Sequence, residues 1–128
     1  MLLIPASPGE LLDKISILEI KAERITALGK RENVLHELQL LQAVRAKSVP
    51  DSRDLDRYYA SLKAVNRELW DIEDALRDLE RKKAFGEIFI EWARSVYRTN
   101  DKRSALKQDI NRLLGSEIFE EKSYNEEK

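Results

Sequence analysis

The 128-residue sequence has no cysteine, a single histidine (His36), four glycines and three prolines. Without cysteine there is no disulfide, no thiolate nucleophile and no Cys-ligated metal. One histidine cannot build a His-based metal site within one chain. Net charge is missing too: 23 basic residues face 24 acidic ones, so no global field calls for nucleic acid or an anionic membrane. No apolar run approaches the roughly 20 residues that span a bilayer. The apolar start MLLIPA is too short for a signal peptide and lacks its basic leading region, which sets the expectation of a cytoplasmic protein. No GxGxxG string, phosphate-cradling glycine loop or nucleophilic triad can be read from the residues.

What the chain does have is charge, 37% of its residues, arranged beside apolar stripes at helical spacing. The length suffices for one domain with its own core. Ser7 and Glu10 form a capping box, and Pro8 sits at the first helical position. Leu11, Ile15, Leu18, Ala22 and Ile25 follow as one stripe, with Ser16, Glu19 and Glu23 beside it, so Glu19 reads as a flank residue rather than a working carboxylate. Gly29 follows Leu28 as a stop signal. A pattern over residues 31–47, with Val34, Leu38 and Leu41, forms a second helix or continues the first through a kink. KSVPDSRD, residues 47–54, is a loop in which Asp51 or Ser52 caps the next helix.

Tyr58, Leu62, Val65, Leu69, Ile72, Leu76 and Leu79 then alternate spacings of four and three, the seam of an antiparallel bundle or coiled coil. Burying such a set contributes roughly 10–20 kcal/mol before entropy is subtracted. After Gly86 a last helix runs to about Leu114, with Gly115 as its stop. Nothing reads as a strand. These patterns predict an all-α fold: an elongated antiparallel bundle of three long helices, the first broken near Gly29. The domain spans residues 1–116, and residues 117–128 form an acidic tail disordered towards its end.

Acidic pairs at i, i+3 on helices, Glu10/Asp13 and Glu68/Asp71 among them, could hold magnesium. Five such pairs occur, about what random placement of the acidic residues produces, so neither metal nor cofactor is expected. Arg94 to Arg112 carries six basic and two acidic residues, while Glu68 to Glu80 carries six acidic residues and one base. A hairpin turning near residues 83–86 sets Arg98 level with Asp71. The two patches should then neutralise each other, with Arg98 and Asp71 paired. Asn100, Arg103 and Lys107 fall on the core-facing side of the last helix. They fit either an Asn100 that fixes register or a pocket for an anion. Trp70, Trp92 and Tyr59 lie beside the seams, as core widening or as a subunit surface.

SPGELLDKISILEIKAERI (residues 7–25) and VYRTNDKRSALKQDINRLLGSEIFEEKSY (residues 96–124), with LWDIEDALRD between them, resemble an uncharacterised bacterial family of small proteins. Its members open with SPGELLDK-I-ILEIK and close with YRTND, LLGSEI and EEKSY. The resemblance implies no catalytic residue. Members that stand alone or beside tetratricopeptide and glycosyltransferase-type proteins hint at surface-glycan assembly. The matched strings point to Glu10, Asp13, Lys14, Glu19, Lys21, Tyr97, Arg98, Asn100 and Asp101, to which the helix pattern adds Arg103, as candidate binding residues. The leading expectation is a non-enzymatic helical module that associates with itself, as a dimer, or with a partner protein, without nucleic acid or membrane. The alternative is a small all-helical enzyme acting on a phosphorylated or anionic metabolite at Arg98, Asn100 and Arg103. All-helical chorismate mutases and nucleotide pyrophosphohydrolases supply the analogy.

Overall fold

A computed structural model describes residues 1–124; the tail segment expected to be disordered ends in residues 125–128, outside the described residues. The described residues are all-helical, but they form four helices where three were expected: α1 (Pro8–Arg24), α2 (Leu28–Ser48), α3 (Arg53–Arg81) and α4 (Glu87–Leu113). The first predicted helix is two. Ile25 (φ −84°, ψ 125°) and Ala27 (φ −63°, ψ 119°) are extended, so the chain reverses there instead of kinking. Gly29 lies inside α2 with open space around it and does not make the break. The stop is upstream, where the β-branched Ile25 and Thr26 are weak helix formers. Arg31 Nε donates to the Ala22 carbonyl at 3.1 Å, satisfying one of the acceptors that the end of α1 leaves open.

The other boundaries follow local signals. Ser7 Oγ accepts from the Glu10 N–H and Ser52 Oγ from the Leu55 N–H. At the end of α4, Gly115 has φ +64°, and the Ser116 and Gly115 N–H groups donate to the carbonyls of Asn111 and Arg112. At the end of α3 the same motif places Lys83 at φ +53°, a left-handed position where glycine is usual.

Helices α3 and α4 form an antiparallel hairpin joined through Lys82–Gly86, and the Tyr58 to Leu79 stripe packs along it. Helix α1 packs against all three other helices, whereas α2 packs its backbone on α1 alone. Being enclosed on three sides, α1 buries Leu12 and Ile20 as well as Ile15 and Leu18. These α1 residues, Ile20 apart, meet Leu38, Leu55, Leu62 and Ile110 in one core cluster.

The path of α1 positions everything that follows. Its first half lies in the groove between α3 and α4, with Gly9 against Asn111 and Asp13 between Asn66 and Arg103. Its second half crosses over α3, where Lys63 meets Glu19 and Glu23 and Asp71 meets Arg24. Beyond that crossing, the outer part of the hairpin has no third helix on it.

Candidate functional site

The most polar part of the core is where α1, α3 and α4 meet. Asp13 is 1% exposed. Arg103 grips it with two parallel hydrogen bonds, Nε to Oδ1 at 2.9 Å and Nη2 to Oδ2. Asn66 Nδ2 donates to Asp13 Oδ1 at 3.0 Å and to Ser16 Oγ at 2.7 Å. The Ser16 hydroxyl donates to the Asp13 backbone carbonyl at 2.7 Å. A buried carboxylate is tolerated only when paired and hydrogen-bonded, and here α3 and α4 supply the partners, Asn66 and Arg103. The Asp13 bonds and their field hold the Arg103 guanidinium pKa above its ordinary value against the lowering effect of burial.

One turn away the same helices close on a glycine. The Gly9 N–H donates to Asn111 Oδ1 at 2.7 Å. A Cβ on Gly9 would stand 2.6 Å from the Lys107 carbonyl oxygen, so only glycine allows this approach. Lys107 Nζ lies 2.7 Å from Glu10 and 3.0 Å from Glu120. Burial pulls the Lys107 pKa down, but the bonds to Glu10 and Glu120 outweigh it and the net shift is upward. At the far end of α1, Lys63 sits 3.4 Å from Glu19 and 3.2 Å from Glu23, and its hydrogen bond holds the Glu23 carboxyl below the ordinary glutamate value.

Several candidate residues come together. Glu10, Asn100 and Arg103 line a cleft of about 280 Å³ with Ser104, Lys107, Glu120 and Lys122. Asp13, Lys14 and Lys21 line an adjoining one on the α2 side, with Glu37 and Arg103. Glu19 stands apart as the flank residue its spacing indicated, paired with Lys63. Tyr97 is more than half exposed, and Asp101 lies 3.8 Å from Lys122 at the surface.

Arg98 corrects two expectations. It does not pair with Asp71, because Asp71 lies on the face of α3 that α1 crosses and meets Arg24 at 2.6 Å. Among the described residues no ion pair joins α3 to α4, so the acidic and basic patches do not pair across the hairpin as expected. Nor does Arg98 join Asn100 and Arg103. It lines a separate cleft with Glu68, Ile72, Trp92, Ser95, Thr99 and Lys102. Asn100 is half-buried at a charged rim, so it is not the asparagine of the core. Those are Asn66 and Asn111, 5% and 2% exposed, which the stripe reading passed over along with Ser16. The available signal was their position next to stripe residues: Asn66 falls four residues after Leu62, and Asn111 follows Ile110.

Chemically, this centre braces three helices. The only buried side-chain polar atom left without a partner among the described residues is the Tyr59 hydroxyl. Among the same residues no three His, Asp or Glu side chains converge as metal ligands do.

A family model described as "Family of unknown function (DUF6165)" matches residues 2–127. The chain belongs to that family. No curated protein and no solved structure matches it. The DUF6165 match takes in all four helices, and therefore both the polar brace and the outer hairpin. No described helix is long and apolar enough to cross a membrane.

Proposed function

We propose that this DUF6165 chain is a non-enzymatic helical assembly module, in which the brace around Asp13 holds out the α3–α4 hairpin as a docking element. One observation carries the reading. The groove that α1 fills between α3 and α4 runs on, open and largely apolar, past the point where α1 leaves it. Two clefts of about 360 and 430 Å³ lie along it and share Glu73 and Arg77. Ile17 of α1 and Arg103 of the brace line the first with Leu69 and Trp70, so it adjoins α1, and Leu76, Phe89, Ala93 and Val96 line the second, beyond it. An open groove of this kind is how helical proteins take up a further helix. The polar candidates support the same reading, since Asp13, Arg103, Glu10 and Lys107 are engaged with one another. Surface-glycan assembly, suggested by the sequence resemblance, is the proposed setting.

A thermal-shift panel of nucleotides, nucleotide sugars and magnesium tests the non-enzymatic part. The expected result is no rise in Tm with any of them, and a rise of several degrees with one class overturns it. One observation favours the alternative. Arg98 and Lys102 have no carboxylate within ion-pair distance among the described residues, and they share their cleft, about 320 Å³, with Trp92, Thr99 and one carboxylate, Glu68. If an anionic metabolite binds there, the Tm rise disappears in Arg98→Ala.

A further inference from the structure

We propose that the cleft between α3 and α4 beside Arg98 binds a monocarboxylate with an apolar body. This rests on the reading of that cleft as an anion site, names the class of ligand and requires no reaction. Trp92, Ser95, Thr99 and Lys102 follow at spacings of three and four along one face of α4, with Arg98 beside them. Glu68 and Ile72, one turn apart on α3, oppose them. No residue of α1 or α2 lines the cleft, so it stands apart from the brace.

A buried hydroxyl marks the site. Thr99 is 5% exposed. A helical serine or threonine commonly turns its hydroxyl back to the carbonyl four residues earlier, as Ser95 does towards Glu91 at 3.0 Å. Thr99 makes no such bond and meets no other partner among the described residues. Among those residues the Tyr59 hydroxyl is the only fully sealed polar side-chain atom without a partner. The Thr99 oxygen is therefore not sealed, and it opens onto the cleft that its side chain lines. The cations flanking it are equally unengaged. The α4 ion pairs leave out both Arg98 and Lys102, and Arg98 has only the Tyr97 ring, 6.0 Å away, against its guanidinium. A hydroxyl between an arginine and a lysine is a donor set for an oxyanion.

Charge sets the class. Two cations, Arg98 and Lys102, against one carboxylate, Glu68, leave the lining with a single positive charge. One carboxylate balances it. A phosphate dianion overshoots, and its second charge meets Glu68. A nucleotide overshoots further and is large for about 320 Å³, near the lower limit of ligand clefts, in keeping with the flat response expected of nucleotides. The rest of the lining is apolar. Ile72, 5% exposed, and Trp92, 37% exposed, supply a wall for an aromatic or branched body.

Isothermal titration calorimetry of the full chain with phenylacetate, phenyl phosphate and phenylacetamide tests the proposal. Phenylacetate is expected to bind about 10-fold more tightly than either of the others. Arg98→Ala and Thr99→Val should each weaken it about 10-fold. The Tm of Thr99→Val should not fall, because its hydroxyl has no partner within the chain to lose. Glu68→Gln removes the opposing charge and should bring phenyl phosphate level with phenylacetate or above it. The capped dipeptide Phe-Glu presents a carboxylate as a partner protein would. Binding tighter than that of phenylacetate supports the site with a protein-borne carboxylate, and weaker binding supports it with a free acid. Phenyl phosphate bound as tightly as phenylacetate by the wild type overturns the monocarboxylate class and leaves the anion site. Failure of both to bind at millimolar concentration overturns the anion site too. Phenylacetate binding indifferent to both Arg98→Ala and Thr99→Val overturns its placement in this cleft.

Discussion

Replacing Asp13 by alanine removes the acceptor on which the brace converges. Three hydrogen bonds are lost: two from Arg103 and one from Asn66. Asn66 keeps one bond, to Ser16, while the other hydrogen of its amide loses its acceptor. Arg103 is left facing a void, with its side chain 29% exposed, and water reaches part of it. Breaking a fully buried pair by removing one partner costs about 3–5 kcal/mol. Partial access to water brings the expected loss down to about 2–4 kcal/mol, a large fraction of the ~5–15 kcal/mol that holds a domain of this size. Chemical denaturation measures it directly, and in a thermal melt the drop should be about 10 °C. The double variant Asp13→Leu/Arg103→Met, which removes both charges and fills the space, should recover most of the loss, because a buried ion pair and an apolar pair of similar volume are often close in stability. A loss below about 1 kcal/mol for Asp13→Ala would refute the brace. So would a double variant no better than the single, since the cost would then lie elsewhere than in the stranded charge.

Gly9→Ala forces a methyl against the Lys107 carbonyl and Asn111 and should cost about 1–3 kcal/mol. Gly29→Ala, in open helix, should instead stabilise by about 0.5–1 kcal/mol; urea midpoints of the two variants check the pair, and equal signs would contradict the packing at Gly9. Glu19→Gln should change stability by less than about 1 kcal/mol, because the Lys63 pair is part-exposed and Lys63 keeps Glu23; a larger drop in a denaturant titration would make Glu19 a buried, working carboxylate. The raised Lys107 pKa fixes a sign for alkaline pH. Its contribution is complete below the ordinary lysine value and is lost as pH rises through the higher folded value. The Tm gap between wild type and Lys107→Met should therefore stay constant through neutral pH and narrow above about pH 10.5; a gap that widens there would be the wrong sign.

Several sites show where a linear reading ends. Ser7 with Pro8, Ser52 and Gly115 marked helix ends from their neighbours within four residues, and the Tyr58 to Leu79 stripe identified the face of α3 that meets α4. These are local relations, because a helix fixes which residues share a face within a turn or two. The candidate strings at the two ends of the chain did meet in space, at Glu10, Asp13, Asn100 and Arg103. The turn at Ile25–Ala27 was misplaced to Gly29 because glycine is the stronger stop symbol, while the weaker local signal, the β-branched pair Ile25 and Thr26, marks the actual break.

The sequence by itself determined that the chain is helical, where α3 and α4 run, and that it has neither the cysteines nor the histidines for thiolate chemistry or a His-based metal site. Only the tertiary structure decided which polar residues lie inside. An apolar stripe reports the direction of one neighbour, but α1 has three, so Ser16 beside the stripe and Asp13 on the face opposite it become interior when the second and third neighbours close over them. The same non-local geometry gave Asp71 to Arg24 rather than Arg98, because the direction in which α1 crosses α3 is set by packing among helices far apart in the chain. It also left the outer groove open, a property of where α1 departs that no spacing within α1, α3 or α4 encodes.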